Sequence, residues 1–194
     1  MEKERLAAFS DGVIAIIITI MVLELKVPQG SEWGDGIAFL PQLLSYILSF
    51  IYVAIYWNNH HHLFHTVKHV DGAMLWANMH LLFWLSLFPL TTEWLRHYPT
   101  APAPVAVYGV VLLMAAIAYY ILQRNIICAQ GKDSILKQAL GRDIKGKLSP
   151  ILYITGVAFA FIAPLVSCGI YVFVALIWLI PDRRIEKRLS SPSS

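Results

Sequence analysis

Residues 5–24 read RLAAFSDGVIAIIITIMVLE, and this stretch decides how the chain folds. It is a run of apolar, mostly β-branched side chains long enough to cross a bilayer as a helix, with a carboxylate, Asp11, near its start. An ionisable group at membrane depth is costly, so it usually faces protein or water. Asp11 is therefore a candidate functional residue. The competing interpretation is a structural carboxylate near a helix N-terminus, paired within the bundle.

The composition of the whole chain places it in a bilayer. Of its 194 residues, 58% are hydrophobic and only 14% are charged, and the mean hydropathy is +0.62. Soluble domains average about 25% charged residues. These values argue against an aqueous catalytic domain, a disulfide scaffold and a nucleic-acid-binding module. The two cysteines, Cys128 and Cys168, have no metal or haem spacing, so no cofactor is predicted.

Stretches without acidic or basic residues predict six membrane-spanning helices in a single repeat, residues 1–189. The predicted spans are 6–27, 37–57, 73–94, 105–127, 149–163 and 166–180, the last two forming a hairpin that turns at Pro164. With cytoplasmic termini, every basic residue except Lys26 and Arg96 then lies on the cytoplasmic side, as the positive-inside rule requires. We expect a multi-pass protein of the cell membrane with a disordered tail at 190–194.

The first span carries a stripe of residues along one helical face. At 100° per residue, this stripe consists of Phe9, Gly12, Ile16, Thr19, Ile20, Leu23 and Val27. Ser10 and Asp11 point well away from it. Two interpretations remain open: the stripe packs inside the subunit, or it meets symmetry mates around an axis while the polar pair ties the helix to its own bundle.

Arg5, Phe9, Ser10 and Asp11 form the pattern RxxxFSD. This pattern resembles the signature of the transmembrane protein 175 family, the endolysosomal potassium channels and their prokaryotic single-repeat relatives. Trp57 with the histidines after it, and LSLFPLTT at 85–92, resemble the second and third spans of that family. The resemblance implies an all-α channel, not an enzyme, that forms a homotetramer with the first helix of each subunit lining a central pore. Its partners would be copies of itself, potassium ions and membrane lipids, with no nucleic acid.

The resemblance also assigns roles to residues further along the first helix. In the family, hydrophobic layers on this helix restrict the pore in place of a carbonyl filter. These layers correspond here to Ile16, Ile20 and Leu23, with Thr19 in a threonine layer. A narrow apolar passage strips water from ions, and potassium holds its water less tightly than sodium, so a modest preference for potassium is expected. Glu24 either forms an outer ring of carboxylates or simply ends a solvated helix.

Two groups of residues are implied to hold the first helix in place and to influence gating. They are Arg5, Phe9, Ser10 and Asp11 of the signature and, after the second span, Trp57, His60 and His61. We expect the second group to contact the first, with Phe9 at the cytoplasmic entrance. Substitutions in either group should affect folding or gating more than ion choice.

Residues 58–69, NNHHHLFHTVKH, contain five of the seven histidines. His61, His65 and His69 recur every four residues on one helical face, a spacing that can bind zinc. Because the segment has no acidic or cysteine ligand, we predict a helix end at the membrane surface and no metal site. Two rival functions remain: a metal- or haem-binding membrane enzyme built on these histidines, and a secondary transporter, which the lack of visible inverted halves disfavours.

Overall fold

The computed structural model describes residues 2–28, 30–131, 134, 136, 137 and 143–179, and the regular elements in these regions are all helices. They are α1 (Lys3–Leu23), α2 (Trp33–His65), α3 (Gly72–Ser86), α4 (Phe88–His97), α5 (Pro102–Gln130), α6 (Ile144–Phe159) and α7 (Pro164–Leu179). The all-α fold class predicted from the sequence is confirmed. The tail predicted at 190–194 lies outside the described residues.

Several helices begin where the sequence supplies a cap or a proline. The Asp71 side chain accepts a hydrogen bond from the Met74 backbone N–H at 2.8 Å and so caps α3, and Asp143 accepts one from the Gly146 N–H at 3.1 Å and caps α6. Such caps satisfy backbone donors that the first turn of a helix leaves unpaired. Helices α5 and α7 begin at Pro102 and Pro164, because proline has the φ angle of a first helical residue and lacks the N–H that would go unpaired.

Helix α2 is longer than the predicted second span. It covers 33 residues, about 50 Å at 1.5 Å per residue, and continues eight residues past Trp57 to His65. Residues 58–65 of the histidine-rich segment therefore form the last two turns of this helix, whereas His69 lies beyond its end and, contrary to the prediction from the sequence, does not share a helical face with His61 and His65. This places His60, His61 and His65 at defined angles around its axis.

The predicted third span is interrupted at Leu87, between α3 and α4. Pro89 has no backbone N–H to donate to the carbonyl of Leu85, which removes one hydrogen bond of a continuous helix. At this point the Leu87 N–H bonds to the carbonyl of Trp84 at 3.3 Å, three residues back instead of the four of an α-helix. The proline of LSLFPLTT thus explains the break.

Among the described residues, four helical units are long and apolar enough to cross a membrane: α1, α2, α3 together with α4, and α5. Helices α6 and α7 have 16 residues each, about 24 Å, which is shorter than a hydrocarbon core of about 30 Å. They form the hairpin that the sequence predicts, but the turn occupies residues 160–163 and precedes Pro164. The count of six spans therefore stays a prediction.

The core is built around buried tyrosines between α2, α5, α6 and α7. Tyr171 of α7 is fully buried and lies against two glycines, Gly109 of α5 and Gly156 of α6. Its hydroxyl donates to the carbonyl of Val105 at 3.3 Å, and its own carbonyl accepts from the Tyr52 hydroxyl. Because glycine has no side chain, α6 and α5 can both approach the ring closely.

The substitution Gly156→Ala should lower the thermal unfolding temperature of the purified protein. A Cβ atom there would lie 2.4 Å from ring atom Cε1 of Tyr171, and overpacking of this kind costs about 1–3 kcal/mol. Gly169→Ala is the matched control, since a Cβ at that position meets open space and alanine favours a helix. Equal unfolding temperatures for the two variants would contradict this packing.

Candidate functional site

Helix α1 has one face inside the subunit and one face outside it. The buried face recurs every three or four residues and consists of Leu6, Ser10, Ile14, Ile17 and Met21. The stripe identified in the sequence lies on the other face, where Ile16 is 60% exposed and Leu23 is 77% exposed. The stripe is thus not packed inside its own subunit, which removes one of the two interpretations that the helical wheel left open.

The exposed stripe is apolar along its length except at Thr19. Phe9 and Ile20 are exposed on it, whereas Val27 is exposed but lies beyond the end of α1 at Leu23 and is therefore not part of the helical stripe. The Thr19 hydroxyl donates to the carbonyl of Ala15 at 2.9 Å, within the helix. Because this bond uses the hydroxyl hydrogen, the oxygen keeps a lone pair that can accept or coordinate outside the helix.

A chain of buried hydrogen bonds holds the opposite face of α1. The side-chain amide of Asn78, on α3, donates to the Ser10 hydroxyl at 2.9 Å, and this hydroxyl donates to the carbonyl of Leu6 at 2.9 Å. The amide oxygen of Asn78 lies 2.8 Å from Nε2 of His60, on α2. Since an amide oxygen only accepts, Nε2 of His60 must carry the hydrogen. We call Ser10, Asn78 and His60 the buried triad; it links α1, α2 and α3.

A second contact joins α1 to α2 at the edge of the buried triad. The indole N–H of Trp57 donates to the Asp11 carboxylate at 2.9 Å. The ring of His61 stacks on that indole, with centroids 5.8 Å apart and an interplanar angle of 28°. Asp11 is only partly buried, so its charge keeps contact with the surface. The group that donates a hydrogen bond to this carboxylate, the Trp57 indole, is a neutral side chain of α2.

Arg5 and Glu24, the remaining predicted site residues, lie apart from the contacts that hold α1. Arg5 is exposed and lines an open recess with Lys68 and His69 at the end of the bundle where α1 begins. Glu24 caps the other end of α1, near enough to Glu93 and Arg96 of α4 for their charges to interact. Arg96 is itself buried, and its guanidinium donates to Glu93 and to Gln42 of α2.

Asn78 and Arg96 are the residues of this region that the sequence reasoning missed. Each is a polar side chain inside a segment read as a membrane span or as its outer end. A polar residue in such a position normally has a partner on another helix. That rule would have found Asn78, but it would not have identified Ser10 and His60 as its partners, because their side chains meet only in the folded bundle.

Comparison with known proteins identifies the family. Residues 5–89 match the family described as endosomal/lysosomal potassium channel TMEM175. A protein of Chryseobacterium sp. (strain P1-3), named potassium channel HX13_20290, is 60% identical over 189 residues, covering 97% of this chain and 98% of that protein. The chain belongs to the TMEM175 family. The family predicted from the RxxxFSD signature is confirmed.

Two further TMEM175 relatives allow the fold and the length of the chain to be compared. The crystal structure of a lysosomal potassium-selective channel TMEM175 homolog from Chamaesiphon minutus superposes with a TM-score of 0.79 at 31% identity, covering 93% of this chain and 98% of that chain. The endosomal/lysosomal proton channel TMEM175 of Mus musculus is 32% identical over 105 residues, which cover 48% of this chain and 21% of the mouse protein. The bacterial homologue therefore matches the whole fold, and the mouse protein is much longer.

The substitution Asn78→Leu should destabilise the TMEM175 subunit by about 1–3 kcal/mol, because it leaves the buried N–H of His60 without an acceptor. Thermal unfolding of the purified protein measures the loss. Asn125→Leu is the matched control, since Asn125 is only partly buried on α5 and its amide makes a long contact, 3.5 Å, with the Ala73 carbonyl. Similar unfolding temperatures for both variants would show that the buried triad does not hold α1.

Proposed function

We propose that four copies of this TMEM175 chain form a channel in which α1 of each copy lines a central pore that conducts potassium. One observation supports the proposal above all: the apolar stripe on α1 is exposed while the buried triad and the contact between Asp11 and Trp57 hold the opposite face of α1. A stripe of this kind faces either lipid or a surface of another subunit. In a fourfold ring, that surface is the same stripe on neighbouring copies.

The constriction of the pore is assigned to Ile16, Ile20 and Leu23. These residues extend over about 10 Å along the helix, and four copies would surround that length with apolar rings. Water leaves a narrow apolar passage readily, so an ion crosses it partly dehydrated. Potassium gives up water more easily than sodium, which produces a modest preference. The free lone pair of each Thr19 hydroxyl adds a coordinating oxygen between the rings.

The residues around α1 act as an anchor for the pore helix. Ser10 and Asp11 fix its rotation through Asn78 and Trp57, and Phe9 stands half exposed at the cytoplasmic end of the stripe. Glu24 ends the helix on the opposite side of the membrane, where its carboxylate concentrates cations at the outer mouth. The subunit would cross the cell membrane six times, with both termini in the cytoplasm.

The relatives carry two names, potassium channel and proton channel. Purified protein in liposomes distinguishes these activities, since potassium, sodium and proton gradients can be applied one at a time. The proposal expects voltage-driven potassium flux that exceeds sodium flux. Liposomes that conduct none of these ions, combined with protein that carries bound metal or haem, would favour the rival membrane enzyme.

The substitution Ile16→Asn should raise the ratio of sodium flux to potassium flux about fivefold, the factor that ~1 kcal/mol of relative dehydration energy produces. An amide at this ring replaces part of the water that sodium loses. Val22→Asn is the control, because Val22 is 44% exposed on α1 but lies off the stripe. An unchanged ratio in Ile16→Asn, or an equal rise in Val22→Asn, would remove Ile16 from the constriction.

The assembly has its own test. Native mass spectrometry of the detergent-solubilised protein should give a protein mass four times that of the 21.9 kDa chain, because one chain supplies one pore helix. A monomer that conducts potassium after reconstitution would refute the fourfold pore.

A further inference from the structure

The last two turns of α2 bring two histidines together on the surface. His61 and His65 are both exposed, and their Nε2 atoms lie 3.0 Å apart. One Nε2–H donates a hydrogen bond to the other Nε2, and the ring centroids are 4.5 Å apart at an angle of 77°. We call these two residues the histidine pair. The buried triad uses neither of them, and neither lies on the exposed stripe of α1.

The spacing of the two nitrogens matches a metal chelate. Two metal–nitrogen bonds of about 2.0–2.1 Å at a right angle separate the nitrogens by about 2.9 Å, whereas a tetrahedral angle separates them by about 3.4 Å. The hydrogen-bonded nitrogens are 3.0 Å apart, close to the first value, so a metal ion that replaces the shared hydrogen needs little change in that distance. Right-angled coordination is typical of Ni²⁺ and Cu²⁺, and both bind imidazole nitrogen well.

We propose that the histidine pair binds a divalent late transition-metal ion, with Ni²⁺ and Cu²⁺ preferred over Zn²⁺. Within the part of the chain that the structure describes, no group of three or more His, Cys, Asp or Glu side chains surrounds a common point. Water therefore completes the coordination shell. The two histidines would form this chelate without the acidic or cysteine ligand that the segment lacks.

The site lies next to the anchor of α1. His61 stacks on Trp57, and Trp57 donates to Asp11, so a metal ion on the pair is two contacts away from the first helix. The positive charge of Lys3 and the ring of His62 also act on His65. They weaken the binding of a positively charged metal ion there, but they do not block the exposed nitrogens. This inference concerns metal binding and does not depend on the proposed conduction.

Isothermal titration of NiCl₂ into tag-free protein tests the site. The protein is treated with EDTA, dialysed and carries Cys128→Ser, because Cys128 is an exposed free thiol that also binds metals. We expect one Ni²⁺ per chain, Ni²⁺ binding tighter than Zn²⁺, and no heat from MgCl₂. His65→Ala should weaken Ni²⁺ binding at least about tenfold, since loss of even an outer-shell partner costs about 10–100-fold.

The controls separate the histidine pair from its neighbours. His69→Ala should keep the Ni²⁺ affinity, because His69 lies beyond the end of α2 and outside the histidine pair. His61→Ala should match His65→Ala; if loss of the stacking on Trp57 prevents it from folding, His65→Ala decides alone. Full Ni²⁺ affinity in His65→Ala, tighter binding of Zn²⁺, or the absence of Ni²⁺ binding in the parent protein would overturn the proposal.

Discussion

The rest of the structure depends on one hydrogen-bonded chain, from Ser10 through Asn78 to His60. In an apolar interior a polar side chain must find a partner in the protein, because no water is present to replace it. Measured interhelical hydrogen bonds in membranes are worth about 0.6–2 kcal/mol each. Their greater effect here is geometric. They hold α1 by one face at a fixed rotation against α2 and α3, with Trp57 and Asp11 adding a second point of attachment.

Fixing the rotation of α1 decides which residues the subunit presents to its surroundings. With Ser10 turned inward, Ile16, Ile20 and Leu23 must face outward, since the two sets lie on different sides of one helix. Ser10 and Asp11 of the polar signature thus hold one face of α1 against the subunit, and this leaves the apolar stripe exposed on the other face. Under the proposed function, Ser10 and Asp11 of the RxxxFSD signature set the orientation of the pore helix, and ion choice rests on residues that follow them.

Sequence reasoning could predict the features that local patterns determine. The all-α class, the helical periodicity of α1, the hairpin near Pro164 and the family follow from composition, spacing and the signature, whereas the break that Pro89 makes inside the third span was not predicted. Apart from the contact of Trp57 with the signature, which the resemblance implied, it could not predict contacts between distant segments: Asn78 as the link between Ser10 and His60, the burial of Arg96, or the hydrogen bond between His61 and His65. It also ended the second span at Trp57, because hydropathy falls there while helix α2 continues to His65.

Accessibility of single cysteines on α1 tests most directly whether the exposed stripe lines the pore. In a background with Cys128→Ser and Cys168→Ser, Leu23→Cys or Val22→Cys is introduced, and potassium flux into liposomes is measured before and after a positively charged methanethiosulfonate reagent. Leu23 lies on the stripe and is 77% exposed, whereas its neighbour Val22 lies off the stripe and is 44% exposed. The account predicts strong block of Leu23→Cys and unchanged flux in Val22→Cys. Block of Val22→Cys with no effect on Leu23→Cys would contradict it.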